Sequence, residues 1–184
     1  LSSDGIDVQH LEDITDDIKT FILSYLQSYL TAITAEISDG ITLPMVENDF
    51  FVIGDFDTDR YDASVVFFLD DDEYEYVIAE DTTLGYETIV GELTLHIVVG
   101  KYSPSTLEKQ IRRYAEAVKD LVSENETFGN AFDRVEVKEI SFFDAVSARD
   151  TRKAARININ IIKELELANQ SGLVVRTDLE DYQY

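Results

Sequence analysis

Two segments of the chain have hydrophobic residues at the three- and four-residue spacing of a helix with one buried face. The first covers residues 11–37, has aspartates near its start that favour the helix dipole, and stops at Asp39-Gly40. The second begins at Ser103-Pro104 and ends near Glu124, with Ser105 and Glu108 in the positions of a capping box. The pattern therefore predicts a long N-terminal helix and a central helix.

Between and after these helices the chain is rich in β-branched and aromatic residues, and several runs alternate between apolar and polar positions. We predict strands at residues 50–55, 64–69, 74–79, 88–99, 134–143 and 154–167. Residues 70–73, four consecutive acids, are interpreted as a hairpin loop between the second and third of these strands. The strand at 134–143 changes phase between Val137 and Ile140, which is typical of a β-bulge.

Alternation in the last predicted strand assigns its two faces. Ile157, Ile159 and Ile161 share one face, and Arg156, Asn158 and Asn160 share the other. We find no internal repeat and no low-complexity linker, so the sequence predicts one α+β domain at residues 1–167. Its mixed or antiparallel sheet has five to six strands. Residues 168–184 are predicted to be a tail that acts as an interaction arm, with a possible strand at 173–175.

Charge is distributed unevenly along the 184 residues, whose net charge is −23. Residues 1–100 carry 23 of the 38 acidic side chains but only two basic ones, Lys19 and Arg60, whereas the rest of the chain is nearly neutral. Such a surface repels nucleic-acid phosphates and other copies of the chain. We therefore expect no tight binding to DNA.

The residue types that commonly carry catalysis are scarce. The chain has no cysteine and two histidines, His10 and His96, which are far apart, and it has no phosphate-binding glycine motif. Asp55, Asp57 and Asp59 have the spacing of the first ligands of a calcium-binding loop. Arg60 and Val66, however, occupy the positions where that loop needs glycine and glutamate. No apolar run is long enough for a membrane span, and no basic and apolar leader begins the sequence. We expect a soluble protein without catalytic, metal or cofactor residues.

One group of basic residues stands out near the start of the last strand. It consists of Arg149, Arg152, Lys153 and Arg156. These side chains are candidates for an interface with the acidic half of a neighbouring copy, as in a head-to-tail ring. Salt bridges within one chain are an equally consistent interpretation.

The order of elements from residue 88 to residue 165 resembles the tail terminator proteins of long-tailed bacteriophages. The resemblance rests on three sequence segments and one turn. The segments are the alternating strand Glu92-Leu93-Thr94-Leu95-His96-Ile97-Val98-Val99, the helix around Arg113-Tyr114-Ala115-Glu116-Ala117-Val118, and the strand Arg152-Lys153-Ala154-Ala155-Arg156-Ile157-Asn158-Ile159. The turn, Thr127-Phe128-Gly129, follows the helix. The preceding helix and strands fit the same order. The high acidity and the tail at 168–184 differ from shorter members of that family.

This resemblance implies a non-enzymatic virion protein, assembled in the host cytoplasm, that forms a hexameric ring at the neck. Such a ring caps the tail tube protein, meets the head-side connector and lets DNA pass without specific binding. Because a negative inner wall avoids trapping phosphates, some acids are expected to face the channel. The leading candidates are Asp70, Asp71, Asp72, Glu73 and Glu75.

Two other functions are consistent with the sequence. An acidic DNA mimic would inhibit a nucleic-acid-binding protein by presenting carboxylates in place of phosphates. A carboxylate-based, metal-dependent hydrolase would need acids that converge from several strands.

Overall fold

The computed structural model describes the backbone of residues 4–77 and 86–166, and within them the side chains of residues 14–70 and 90–163. These residues form two helices and a five-stranded mixed sheet, so the chain has the α+β fold that the sequence predicts. The predicted tail at 168–184 lies outside the described residues. No helix among the described residues is long and apolar enough to cross a membrane.

The elements in chain order are α1 (Asp4–Ile37), β1 (Phe51–Ile53), β2 (Val65–Val77), β3 (Tyr86–Val99), α2 (Pro104–Glu124), β4 (Arg134–Ala145) and β5 (Arg152–Glu166). The strands lie in the order β1-β2-β3-β5-β4. β1 is parallel to β2, and the other neighbouring pairs are antiparallel. The predicted bulge in β4 is confirmed, because its register with β5 shifts between Val137 and Glu139.

The predicted hairpin loop at residues 70–73 is wrong. These residues lie inside β2, which continues to Val77 and pairs with β3 on both sides of a register shift between Asp70 and Glu73. Long pairing with the 14-residue β3 outweighs the low strand propensity of consecutive acids. β1 pairs only with residues 67–69 of β2, so in the described chain the acidic part of β2 is a sheet edge, where charges are common.

The two faces of the sheet have different partners. On one face, α1 and α2 cover a large core that includes Leu93, Leu95 and Ile97 of β3 and the three isoleucines of β5. The predicted alternation of β5 is therefore confirmed. The opposite face has a smaller apolar cluster around Val66, Phe68 and Val98, which lies at one end of the sheet.

An ion pair joins the segment after α1 to α2. The side chain of Arg113 is only 8% exposed and donates to both oxygens of Asp39, at 3.0 and 2.5 Å. Its neighbours Gln110 and Tyr114 donate to the carbonyl oxygens of Thr42 and Pro44. α2 therefore holds the segment that follows α1 through polar side chains as well as through the apolar contacts of the core, which includes Leu43 and Val46.

The capping box predicted at Ser105 and Glu108 is also wrong. The N-cap of α2 is Ser103, whose hydroxyl shares a hydrogen bond with Thr106 Oγ1 at 2.9 Å. Glu108 instead accepts hydrogen bonds from Arg112 one turn later. Proline at position 104 starts the helix two residues before the box would.

The Asp39–Arg113 pair predicts a pH dependence of stability. The hydrogen bond from Arg113 holds the pKa of Asp39 at about 2, below its ordinary value of 3.8. A depressed folded-state pKa stabilises the fold above pH 3.8, and this stabilisation is lost as the pH falls towards 2. We expect Asp39→Asn to lower the urea midpoint at pH 7, with the difference from wild type shrinking as the pH falls from 4 through 2. Asp16→Asn, at an exposed position of α1, is the control, and an unchanged midpoint for Asp39→Asn at pH 7 would contradict the prediction.

Candidate functional site

Three neighbouring rows of polar side chains cross the sheet on the face opposite the helices. Residues directly opposite each other on paired strands share a face, so the register assigns the rows. The rows are His96, Arg156 and Ser141; Asp70, Thr94, Asn158 and Glu139; and Glu92, Asn160 and Glu136. We call these ten residues the polar sheet face. They are exposed or half-exposed, so this surface meets solvent in the described part of the chain.

Carboxylates dominate the charge of the polar sheet face. It carries Asp70, Glu92, Glu136 and Glu139 against one base, Arg156. Glu136 is neutralised in part, because its carboxylate contacts Lys138 at the bulge, at 2.5 Å, and Arg134, two residues earlier on the same face of β4, at 2.8 Å. The hydrogen bond from Lys138 is the main reason that the pKa of Glu136 is lowered. The four carboxylates outnumber the bases that lie on or beside this face, which gives the surface a negative charge.

Three buried polar atoms on the same face have no hydrogen-bond partner among the described residues. They are Nδ1 of His96 and the Oδ1 atoms of Asn158 and Asn160. Buried polar atoms are normally paired with protein or ordered water, and an unpaired one is costly. Asn158 and Asn160 lie on one strand, two residues apart, in the centre of the rows. The sequence indicated that both are on the polar side of β5 but gave no sign that they lack partners.

The acids predicted to face a channel are only partly accounted for. Asp70 lies on the polar sheet face, opposite Thr94, and is half-exposed. The side chains of Asp71, Asp72, Glu73 and Glu75 lie outside the described residues. Their backbone is part of β2, where Glu73 pairs with Glu92.

Aromatic residues cover one end of the polar sheet face. His96 stacks on Phe56 at a centroid distance of 4.5 Å, and Phe143 contacts both rings edge-on. His96 is therefore half-buried although it lies on the polar side of its strand. Burial, and then the nearby charge of Arg156, lower the pKa of His96, so that the ring is neutral at pH 7.

The four basic candidates differ in accessibility. Arg152 has a side chain that is 1% exposed and donates to Asp150, Thr58 and Tyr61. Lys153 pairs with Asp144 and Glu108 of the same chain, and the hydrogen bond to Asp144 raises its pKa. Arg149 and Arg156 are exposed. For Arg152 and Lys153 the contacts favour the intrachain interpretation, which leaves Arg149 and Arg156 as the interface candidates.

The acidic turn at residues 55–59 contacts another loop through Asp59. Asp59 Oδ1 accepts hydrogen bonds from the Ser147 hydroxyl at 2.9 Å and the Ala148 amide at 3.1 Å, and the former is the main cause of its lowered pKa. The turn is thereby joined to the loop between β4 and β5. No group of three or more potential metal ligands converges among the residues with described side chains.

Neither a scan of protein-family models nor a search of curated proteins finds a match to this chain.

Proposed function

We propose that this chain is a structural subunit of a ring-shaped tail terminator, with the polar sheet face turned towards the channel through which DNA passes. The observation that carries the proposal is the contrast between the two sheet faces. One is sealed by helices, while the other is open across four strands and negatively charged. The resemblance of residues 88–165 to that family is the second support for the proposal.

An open sheet face suits the wall of a DNA channel for a physical reason. Each ionic contact between a protein and a phosphate must be broken during passage, so a wall that offers carboxylates and amide oxygens retains DNA weakly. Glu92 and Glu139 are exposed on this wall, and Asn158 lies between their strands. Arg156 lies at the end of the face that the aromatic residues cover.

Ring assembly also needs contacts that overcome the repulsion between acidic copies. Arg149 is an exposed base outside the polar sheet face, and it meets this need if the acidic half of a neighbour lies against it. Phe142 and Val146 also expose apolar side chains, which add area that water solvates poorly.

The proposal predicts where labels lie in an assembled ring. Because the chain has no cysteine, Asn160→Cys and the control Ser24→Cys, on exposed α1, each provide one site for a spin label. In a six-fold ring the distance between neighbouring labels equals their distance from the axis. We therefore expect the spacing at position 160 to be shorter by about 10 Å, the thickness of a helix layer. Electron paramagnetic resonance on rings identified by native mass spectrometry measures both distances.

Two results would contradict the proposal. Labels at position 160 that are farther apart than those at position 24 would place the polar sheet face outside. A chain that stays monomeric at every protein and salt concentration tested would exclude a self-assembled ring. A small complex that forms only with basic proteins, and dissociates in salt, would favour the DNA mimic.

A further inference from the structure

A groove of about 410 Å³ lies between the last turns of α2 and the outer edge of β4. One wall is formed by Lys119, Val122 and Ser123, which share one side of the helix. The other wall is formed by the consecutive residues 135–140. Side chains of a strand alternate between its two faces, so a cavity that touches every residue in turn lies along the strand's edge. The groove therefore borders backbone as well as side chains.

The edge of β4 beside this groove has no strand partner in the described chain. β4 is the last strand of the sheet order. At its start, the Val135 amide donates to the Glu126 carbonyl oxygen at 2.6 Å, which covers only the first residues. A long open edge bordered by apolar side chains, here Val137 and Ile140, is the arrangement that accepts an added strand.

A segment of the same chain is within reach of this edge. The last described residue of β5 is Glu166. This end of β5 lies beside the start of β4, because Ile162 pairs with Arg134. The next apolar run is Leu173-Val174-Val175, which begins seven residues after Glu166. Seven residues span up to about 23 Å. A strand at the outer edge of β4 would lie two strand spacings from β5, which is about 10 Å. The connection is therefore long enough to return along β5 and pass the end of β4.

We propose that residues 173–176 pair with the outer edge of β4 in the same molecule, with apolar side chains of 173–175 entering the groove beside α2. Since the chain reverses after β5, the added strand runs parallel to β4. It extends the sheet to six strands and protects an edge that would otherwise be open to other chains. This inference does not depend on the proposed function.

Hydrogen exchange on the full chain and on a chain that ends at Gly172 tests the proposal. We expect outward-facing amides among residues 136–140 to exchange at least ten-fold faster in the shortened chain. A synthetic peptide of residues 171–184 should restore their protection. Amides of residues 93–97, in the centre of the sheet, should be equally protected in both chains and thus report an intact fold.

A pair of substitutions sharpens the test because strand side chains alternate. Val174→Asp and Val175→Asp change neighbouring residues that point to opposite faces, so one should remove the protection of residues 136–140 and the other should largely retain it. Equal protection in the full and shortened chains would overturn the proposal. So would protection that rises with protein concentration, because it would show that the edge is covered by another copy.

Discussion

Replacing Arg152 by alanine is expected to lower the free energy of unfolding by about 3–5 kcal/mol, the usual cost of removing one partner of a buried ion pair. The Nε atom of Arg152 donates to Asp150 Oδ1 at 2.7 Å, and Nη1 donates to the carbonyl oxygens of Thr58 and Tyr61. Alanine leaves these acceptors without their donor and opens a cavity in a site that is closed to solvent. Urea denaturation monitored by circular dichroism measures the loss.

Arg156→Ala is the matched control, because it removes the same side chain from an exposed position of the same strand. A cost within about 0.5 kcal/mol is expected there. Arg152→Lys should also be destabilising, since an ammonium lacks the planar fork that reaches three acceptors. A loss for Arg152→Ala no larger than that for Arg156→Ala would show that the buried contacts do not stabilise the fold.

The expected effect is large because Arg152 connects two loops that are distant in the sequence. The loop before β2 provides Thr58 and Tyr61, and the loop before β5 provides Asp150. Thr58 also donates to the Val146 carbonyl oxygen at 2.6 Å. The first loop carries Phe56, which covers His96. Arg152 thus fixes the loop that bounds the polar sheet face at its aromatic end.

Elements with a clear period were predictable from the sequence. The end of α1 at Ile37, the whole of α2 and the bulge in β4 agree with the predictions. The prediction divided β2 into two strands, because a run of four acids is typical of a turn. The pairing with β3 that keeps these residues in one strand depends on residues some twenty positions away. The first turns of α1, from Asp4, lack the apolar spacing and continue a helix that packing stabilises later in the chain.

The candidate site was predictable only in part, for a related reason. Strand alternation identified the polar side of β5, and composition identified the acids. Whether Arg113 and Arg152 are buried depends on partners 74 and 94 residues away, Asp39 and Thr58, which no local pattern reveals. The missing partners of Asn158 and Asn160 and the groove beside β4 likewise result from packing between elements.

Raising the sodium chloride concentration from 0.1 to 1 M is expected to increase the free energy of unfolding substantially. The net charge of −23 repels itself more strongly in the compact fold than in the unfolded chain. Between these concentrations the screening length falls from about 10 Å to about 3 Å. A uniformly charged sphere of about 20 Å radius that expands on unfolding predicts a gain on the order of 5 kcal/mol. Surface ion pairs such as Lys101–Asp62 weaken in salt, but each contributes at most about 1 kcal/mol.

The salt effect can be assigned to charge by reducing it. Neutralising six exposed acids, Asp16, Glu36, Glu47, Asp49, Asp55 and Asp57, to their amides should flatten the dependence on sodium chloride and raise stability in low salt. Sucrose, which stabilises by exclusion from the protein surface, should act equally on both proteins. If wild type and variant respond identically to sodium chloride, charge repulsion is not what limits the stability of this fold. If the expected difference is found, the same screening should also favour contact between copies. Repulsion between like charges opposes the assembly of acidic surfaces just as it opposes the compact fold.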